Sequence, residues 1–275
     1  MNCGFCWGFG CEWGAKSSTL FSMIPAAVAT GRCEVRPNSR VHRIETDEHG
    51  RAIGVAYFDS RKRERLQRAK AVVLSANGAE SARLLLLSTS NRFPQGLANS
   101  SGLVGKNLMF NGGSLAGARY EHVVNAYKGA PVSRIVLEDY ELPESLGIAG
   151  GGGMDMRGGS GPYLWVWGNA PPDTPRWGMG LKRVIRDYYQ TSLIALTHTS
   201  SLPVEANAID LDPSLKDAWG VPAMRVTYKE HENDIRLMKY MQDRSVQLLE
   251  ASGAKVVTVC VISSGHVVWW SRTLP

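Results

Sequence analysis

The stretch AVVLSANGAESARLLLLS, from Ala71 to Ser88, restricts the fold more than any other part of the chain. Ala71, Val72, Val73 and Leu74 form a continuous apolar run of the kind found in a strand covered on both faces. Ser75, Ala76, Asn77 and Gly78 then supply the small and φ-permissive residues with which a chain leaves a sheet abruptly. Ala79 to Leu87 reads as a helix, with Glu80 where a carboxylate favours the positive end of the helix dipole. A strand, a tight turn and a helix N-terminus together present free backbone N–H groups at the carboxyl edge of a sheet, where open α/β folds bind nucleotide phosphates. An ordinary βα unit with nothing bound fits the same residues equally well.

A chain of 275 residues, 44% hydrophobic and 20% charged, has the composition of a globular protein with one large core or two modest ones. No apolar run approaches the ~18 residues of a membrane span, so no transmembrane segment is expected. MNCGFCWGFG lacks a basic region followed by an apolar stretch, so no signal peptide is read in this chain, and cytoplasm and periplasm both stay open. A net charge of +6 raises nucleic acid as a partner. The densest basic run, SRKRERLQR, is interrupted by Glu64 and lies between strand signals, so it reads as a solvated hairpin tip and nucleic-acid binding is not expected.

Ser17 to Ala29 reads as a helix bent at Pro25 and capped by Gly31. Strand signals follow over 32–60 and 68–74 around the turn EHGRA, with alternation at Val41, Arg43 and Glu45 and at Ile53, Val55 and Tyr57 that fits a half-covered antiparallel hairpin. Further strand-like pieces lie at 133–137, 163–168, 191–197 and 224–228, with Trp165 and Trp167 alternating on one face as pocket floor or core. Gly150 to Gly161 is glycine-rich without GxGxxG order or a Walker lysine and reads as a mobile loop. Asp210 to Asp217 reads as a turn-rich bend. His231 to Ser252 reads as an amphipathic helix whose buried face carries Ile235, Met238, Met241, Ser245, Leu248 and Leu249, ended by Gly253. Cys3, Cys6 and Cys11, spaced C-x2-C-x4-C, fit an iron–sulfur cluster or part of a zinc site but lack an evident fourth ligand, so no metal is expected at them.

Gly78, Ala79, Ser81, Leu84, Leu85 and Ser88 resemble the motif GAxxSPxLLLxSG of the GMC (glucose-methanol-choline) flavoenzymes. The segment between Ala79 and Ser81 is one residue short of the common form, and Thr89 replaces the closing glycine. The resemblance continues in GFCWGFGCEWGAKSSTL upstream and in FPQGLANSSGLVGKNLM downstream, where Gly102, Gly105 and Asn107 fit a VGxNL pattern. LPVEANAIDLDPSLKDAWGVP is similar to LPxxxNxVxLDPxxKDxWGxP, so the likeness covers most of Cys3 to Lys255. Within the family the shorter form, with these flanking segments, resembles a bacterial branch that includes gluconate and sugar dehydrogenase large subunits.

The resemblance implies FAD as cofactor and a mixed α/β fold of the α+β kind. It would comprise an incomplete FAD/NAD(P)-binding-type domain over 1–114, a substrate domain over 115–255 with a mostly antiparallel sheet backed by helices, and a degenerate catalytic segment over 256–275 returning to the flavin domain. It further implies that Val41 touches the flavin adenine through its backbone and that Asn77, Gly78 and Ala79 lie along the dinucleotide. His266, in SSGHVVWWSRTLP, matches the histidine of SGGHxxGTxRMG that takes the hydroxyl proton during hydride transfer to flavin. Trp269 and Trp270 replace Gly and Thr of that motif, Thr273 and Leu274 replace Met and Gly, and no GxGxxG precedes Cys3. The expectation is therefore an incomplete and inactive piece of an FAD-dependent dehydrogenase acting on CH–OH donors, with a sugar, sugar acid or alcohol as substrate and an electron-acceptor subunit as candidate partner. A non-catalytic remnant or binding subunit, and an electron-transfer piece built on Cys3, Cys6 and Cys11, remain as alternatives. His42, His49, His122, His198 and His231 read as surface or satisfied core groups.

Overall fold

The computed structural model describes residues 9–129, 132–158, 161–168, 170, 173–263 and 266–273, with the side chains of 133, 164, 167, 168, 260–263 and 266–273 outside that description. In chain order the elements are α1 (Met23–Ala29), β1 (Arg40–Thr46), β2 (Ala52–Phe58), β3 (Glu64–Arg68), α2 (Asn77–Leu87), β4 (Ser114–Arg119), β5 (Val132–Val136), β6 (Gly152–Arg157), α3 (Pro162–Gly168), α4 (Gly178–Tyr188), β7 (Ser192–Thr199), β8 (Ala208–Lys216), β9 (Pro222–Thr227), α5 (Glu232–Ala251), β10 (Val256–Ser263) and β11 (His266–Thr273). They divide between two compact units, one formed by Ser22–Met109 with Pro203–Lys229, the other by Met1–Phe21, Phe110–Leu202 and Glu230–Pro275. These divisions differ from 1–114, 115–255 and 256–275. Residues 203–229 stay with the first unit because Ala208 bridges to Lys106 and the Leu108 N–H donates to the Asn207 carbonyl. The last two strands stay with the second because β10 pairs with β4.

The first unit holds the antiparallel sheet β1-β2-β3, the hairpin β8-β9 and helix α2. One turn closes all three of its hairpins. In DEHGR, DSRKR and DAWGV, Oδ1 of Asp47, Asp59 and Asp217 accepts the N–H groups two and four residues ahead. The fourth residue is left-handed each time, with φ of +82° at Gly50, +56° at Lys62 and +79° at Gly220. An aspartate that satisfies two backbone donors makes such a turn self-contained. The predicted solvated tip SRKRERLQR is therefore half turn and half strand, since Glu64–Arg68 forms β3 with every residue exposed.

Alternation in β1 and β2 is as expected, but the more deeply buried face belongs to Ile44, Gly54 and Ala56 and not to the Val41 and Ile53 set. The predicted strand at Ala71–Leu74 is absent: these residues pair with no other strand among the described residues, and Val73 is 87% exposed. An apolar run becomes a strand only when another backbone meets its N–H and C=O groups. Helix α1 begins at Met23 and not at Ser17, which leaves Pro25 in the first turn, where a missing N–H costs nothing. Gly31, with φ of +69°, ends it as expected.

In the second unit six strands run antiparallel in the order β11-β10-β4-β7-β6-β5. Helix α5 lies on one face, where Leu237, Met241 and Leu249 pack with Ala116, Met154, Met156, Ala195, Val257 and Val259. His231 caps this helix, its Nδ1 accepting the Asn233 N–H, and Gly253 (φ +89°) ends it. The buried stripe is centred on Leu237, Met241, Ser245 and Leu249, slightly rotated from the expected one, with Ile235 and Leu248 at its margin.

Two expectations fail here. The glycine-rich run predicted as a mobile loop contains β6, an interior strand of the sheet. Its glycines serve close approach, since a Cβ at Gly151 would collide with the Tyr140 carbonyl and one at Gly152 with the His198 carbonyl. The run predicted as a strand at 163–168 is helix α3, opened by Pro162 at a position where its fixed φ suits a helix start. Trp165, 3% exposed, is therefore a core residue and shares no strand face with Trp167.

Two substitutions check this burial pattern by chemical denaturation. Leu237→Ala, at a fully buried position, is expected to lower the unfolding free energy by about 2–5 kcal/mol. Val73→Ala, in the unpaired segment, should change it by less than about 0.5 kcal/mol.

Candidate functional site

The turn before α2 is built around Asn77, whose φ of +60° is left-handed and whose Oδ1 accepts the Glu80 N–H at 3.1 Å. Asparagine tolerates this conformation because its side chain can bond locally. The reversal therefore rests on Asn77, leaving Gly78 outside the left-handed region, and a Cβ built on Gly78 would meet nothing within 4 Å. Asn77 and Gly78 are exposed, and the N–H groups of Gly78 and Ala79 belong to the first helical turn, where no intrahelical acceptor exists.

Strand β1, an edge strand, runs alongside this helix. Near the helix start, Arg40 reaches Glu80 at 3.3 Å, while near its end the Ile44 N–H donates to Ser88 Oγ at 2.9 Å. Val41 follows Arg40 and Glu80 follows Ala79, so four of the residues assigned to the cofactor (Val41, Asn77, Gly78, Ala79) gather at one end of the β1–α2 pair.

Beneath the turn lies Arg83, whose side chain is 4% exposed. It donates to Asp217 Oδ2 at 2.8 Å, to the Pro222 carbonyl from both Nε and Nη2, and to Glu80 Oε1 at 3.3 Å. Asp217 is the aspartate of the DAWGV turn, so one guanidinium joins α2 to the loop between β8 and β9. Burial opposes ionisation of Asp217, but the Arg83 guanidinium and the N–H groups of Val221 and Trp219 outweigh it and hold the carboxyl below its ordinary range. Sequence reading passed over Arg83; the only trace was a lone cation inside the apolar run ARLLLL.

The second unit holds a separate polar cluster on β6 and β7. Asp155 is 6% exposed and accepts from His198 Nε2 at 2.8 Å through Oδ2, and from Arg157 Nε and Nη2 through both oxygens. Burial again opposes its ionisation, and hydrogen bonds from Arg157 and His198 prevail, so its carboxyl titrates below the usual value. His198, expected as a surface or satisfied core group, is satisfied yet has a side chain 41% exposed.

The remaining site residues are less informative. His266 opens β11, paired through its backbone with Ser263, and its side chain lies outside the described residues. Cys3 and Cys6 also lie outside them. Cys11 Sγ accepts the Ala15 N–H at 3.2 Å, and backbone N–H groups from Lys16 and Ala15 draw its thiol below the ordinary value. Among the described residues no three His, Cys, Asp or Glu side chains converge on a common point, and no helix is long and apolar enough to cross a membrane.

Arg83→Met is expected to destabilise the chain by about 3–5 kcal/mol in denaturant titrations, because Asp217 would keep its charge without its partner. Asp155 supplies stability at pH values above the ordinary carboxylate pKa of about 3.9, lost as pH falls through its lower folded value. Asp155→Asn should therefore flatten the dependence of unfolding free energy on pH in the acid range, read from denaturation curves at successive pH values.

Residues 1–111, which include the α2 turn, match the GMC oxidoreductase family model. The chain is 35% identical over 248 residues to 2-methyl-1,2-propanediol dehydrogenase from Mycolicibacterium austroafricanum, a match covering 89% of this chain and 45% of that protein. It is 29% identical over 263 residues to the gluconate 2-dehydrogenase flavoprotein of Pantoea cypripedii, covering 93% and 42%. It is 26% identical over 249 residues to the fructose dehydrogenase large subunit of Gluconobacter japonicus, covering 88% and 44%. The chain thus spans under half the length of these curated relatives. Residues 1–111 thus match the GMC oxidoreductase family, and the similarity to these dehydrogenases runs on through both units.

Proposed function

We propose that this chain contributes to an FAD-dependent dehydrogenase that oxidises a CH–OH group of a small alcohol, sugar or sugar acid. The observation that carries the reading is the end of the β1–α2 pair. There an exposed turn with an unobstructed glycine, and first-turn N–H groups at Gly78 and Ala79 that lack an intrahelical acceptor, lies beside an edge strand at Val41. A dinucleotide needs such features, because its phosphates take backbone N–H groups and its rings need backbone close by. The residues present fit the group.

FAD, when bound, supplies the acceptor of the hydride. The chain's own work is to hold, orient and deprotonate. In this reading the N–H groups of Gly78 and Ala79 face the dinucleotide, Asn77 fixes the turn, and the backbone of Val41 lines the adenine. His266 accepts the proton of the substrate hydroxyl at a ring nitrogen, since an imidazole near its ordinary pKa of about 6.5 takes a proton readily at neutral pH. The relatives named for 2-methyl-1,2-propanediol, gluconate and fructose support a small polyhydroxy compound as substrate, and an electron-acceptor subunit is the partner in keeping with the reading of this chain as a large-subunit type.

Flavin retention tests the reading. The chain purified in the presence of FAD is expected to carry flavin absorbance through gel filtration. Gly78→Leu should weaken FAD binding by about tenfold, about 1.4 kcal/mol, without loss of thermal stability, because the added side chain meets open space within the protein. A chain that binds no flavin, or a Gly78→Leu variant that binds it unchanged, overturns the assignment of the turn.

A further inference from the structure

The six-stranded sheet has two unlike faces. Met156 lies opposite Ala195, Ala195 opposite Ala116 and Ala116 opposite Val259, and this row packs into the apolar core with α5. The alternate residues point the other way: Asp155 lies opposite Leu196, Leu196 opposite Leu115, and Gly153 opposite His198. A face left to water normally carries solvated polar side chains. Here it carries a carboxylate 6% exposed, bound by Arg157 and His198, with Leu115 and Leu196 half-buried beside it. Burying an ion costs several kcal/mol unless it is paired and hydrogen-bonded, so the carboxylate is held in place by a full set of partners.

The consequence falls on His198. Nε2 lies 2.8 Å from Asp155 Oδ2 and 3.4 Å from Arg157 Nη2; the shorter contact is the hydrogen bond, and because an ionised carboxylate only accepts, Nε2 carries the hydrogen and in the neutral ring Nδ1 is then an acceptor. The side chain remains 41% exposed, and the position above its cross-strand neighbour Gly153 is taken by the Leu137 side chain, an apolar neighbour without a hydrogen-bonding group. Asp155 and Arg157 cancel in charge. The result is an oriented acceptor in a locally neutral setting between apolar neighbours, which suits a hydroxyl donor and gives no attraction to a phosphate or carboxylate.

We propose that His198, oriented by Asp155, binds a hydroxyl of a neutral polyhydroxy alcohol through Nδ1 on the sheet face opposite α5. That the ligand is an alcohol rests on the function proposed above. His198 is the binding residue and Asp155 the positioning residue.

Imidazole NMR of the full chain, with D-sorbitol and D-gluconate as probes and His198→Gln to assign the ring, tests this without flavin. The ring is expected to show the Nε2–H tautomer, and sorbitol should shift its Nδ1 signal at least as strongly as gluconate does. Asp155→Asn should release the tautomer preference and raise the sorbitol Kd by about tenfold. If Asp155→Asn does not fold, His198→Gln, at a half-exposed position, should abolish the heat of sorbitol binding in calorimetry. A ring signal that ignores sorbitol, a stronger response to gluconate, or unchanged affinity in these variants overturns the proposal. Sorbitol binding in a chain that retains no FAD would sink the flavin assignment alone, and FAD retention with a silent His198 would sink this proposal alone.

Discussion

The first unit depends on a guanidinium placed where a guanidinium is expensive. Arg83 sits almost wholly out of water, and its cost is met by Glu80 one turn back on the same helix and by Asp217 and the Pro222 carbonyl, far away in sequence. Because Glu80 shares the helix with Arg83 while Asp217 and Pro222 flank the β8–β9 turn, the ion network fixes the start of α2 against that loop. The exposed turn at Asn77 and Gly78 therefore stands on a rigid base. Arg40 extends the same network, reaching Glu80 and stacking over Trp219 at 5.6 Å from the ring centroid. The KDAWGVP motif thus acts as the receiver of a charge from α2, with Asp217 closing the hairpin through one oxygen and holding Arg83 through the other.

What could be read from the sequence followed from how local the cause was. The helix at 232–251 and its stop at Gly253 were legible because the apolar period and the left-handed glycine act within a few residues. The turn before α2 was legible for the same reason, although Asn77 carries the unusual backbone in place of Gly78. The DSRKR turn was hidden because Lys62, a residue with no turn signature, holds the left-handed position that glycine fills in its two counterparts. β6 was mistaken for a loop because glycines required by neighbouring backbones look identical in sequence to glycines that confer freedom. Ala71–Leu74 failed in the opposite direction, since composition cannot show whether a pairing strand is present.

The site was legible unevenly. Val41, Asn77, Gly78 and Ala79 came from resemblance, and the fold gathers them at one end of one unit. Arg83 and the Asp155–His198 pair left no pattern, because both depend on residues far apart in sequence: 134 positions between Arg83 and Asp217, 43 between Asp155 and His198. Single-sequence periodicity does not reach across such separations.

Strand β3 has a role unrelated to chemistry. It forms one border of the β1-β2-β3 sheet, and none of its five residues is buried. At the opposite border Ser88, at the end of α2, takes the Ile44 N–H, so β3 is the more open docking edge for a stray strand of another copy. Its sequence, ERLQR, places a charged or amide group at every position but Leu66, and charges along an open border discourage intermolecular sheet growth. The densest basic run of the chain is thus accounted for as protection against self-association.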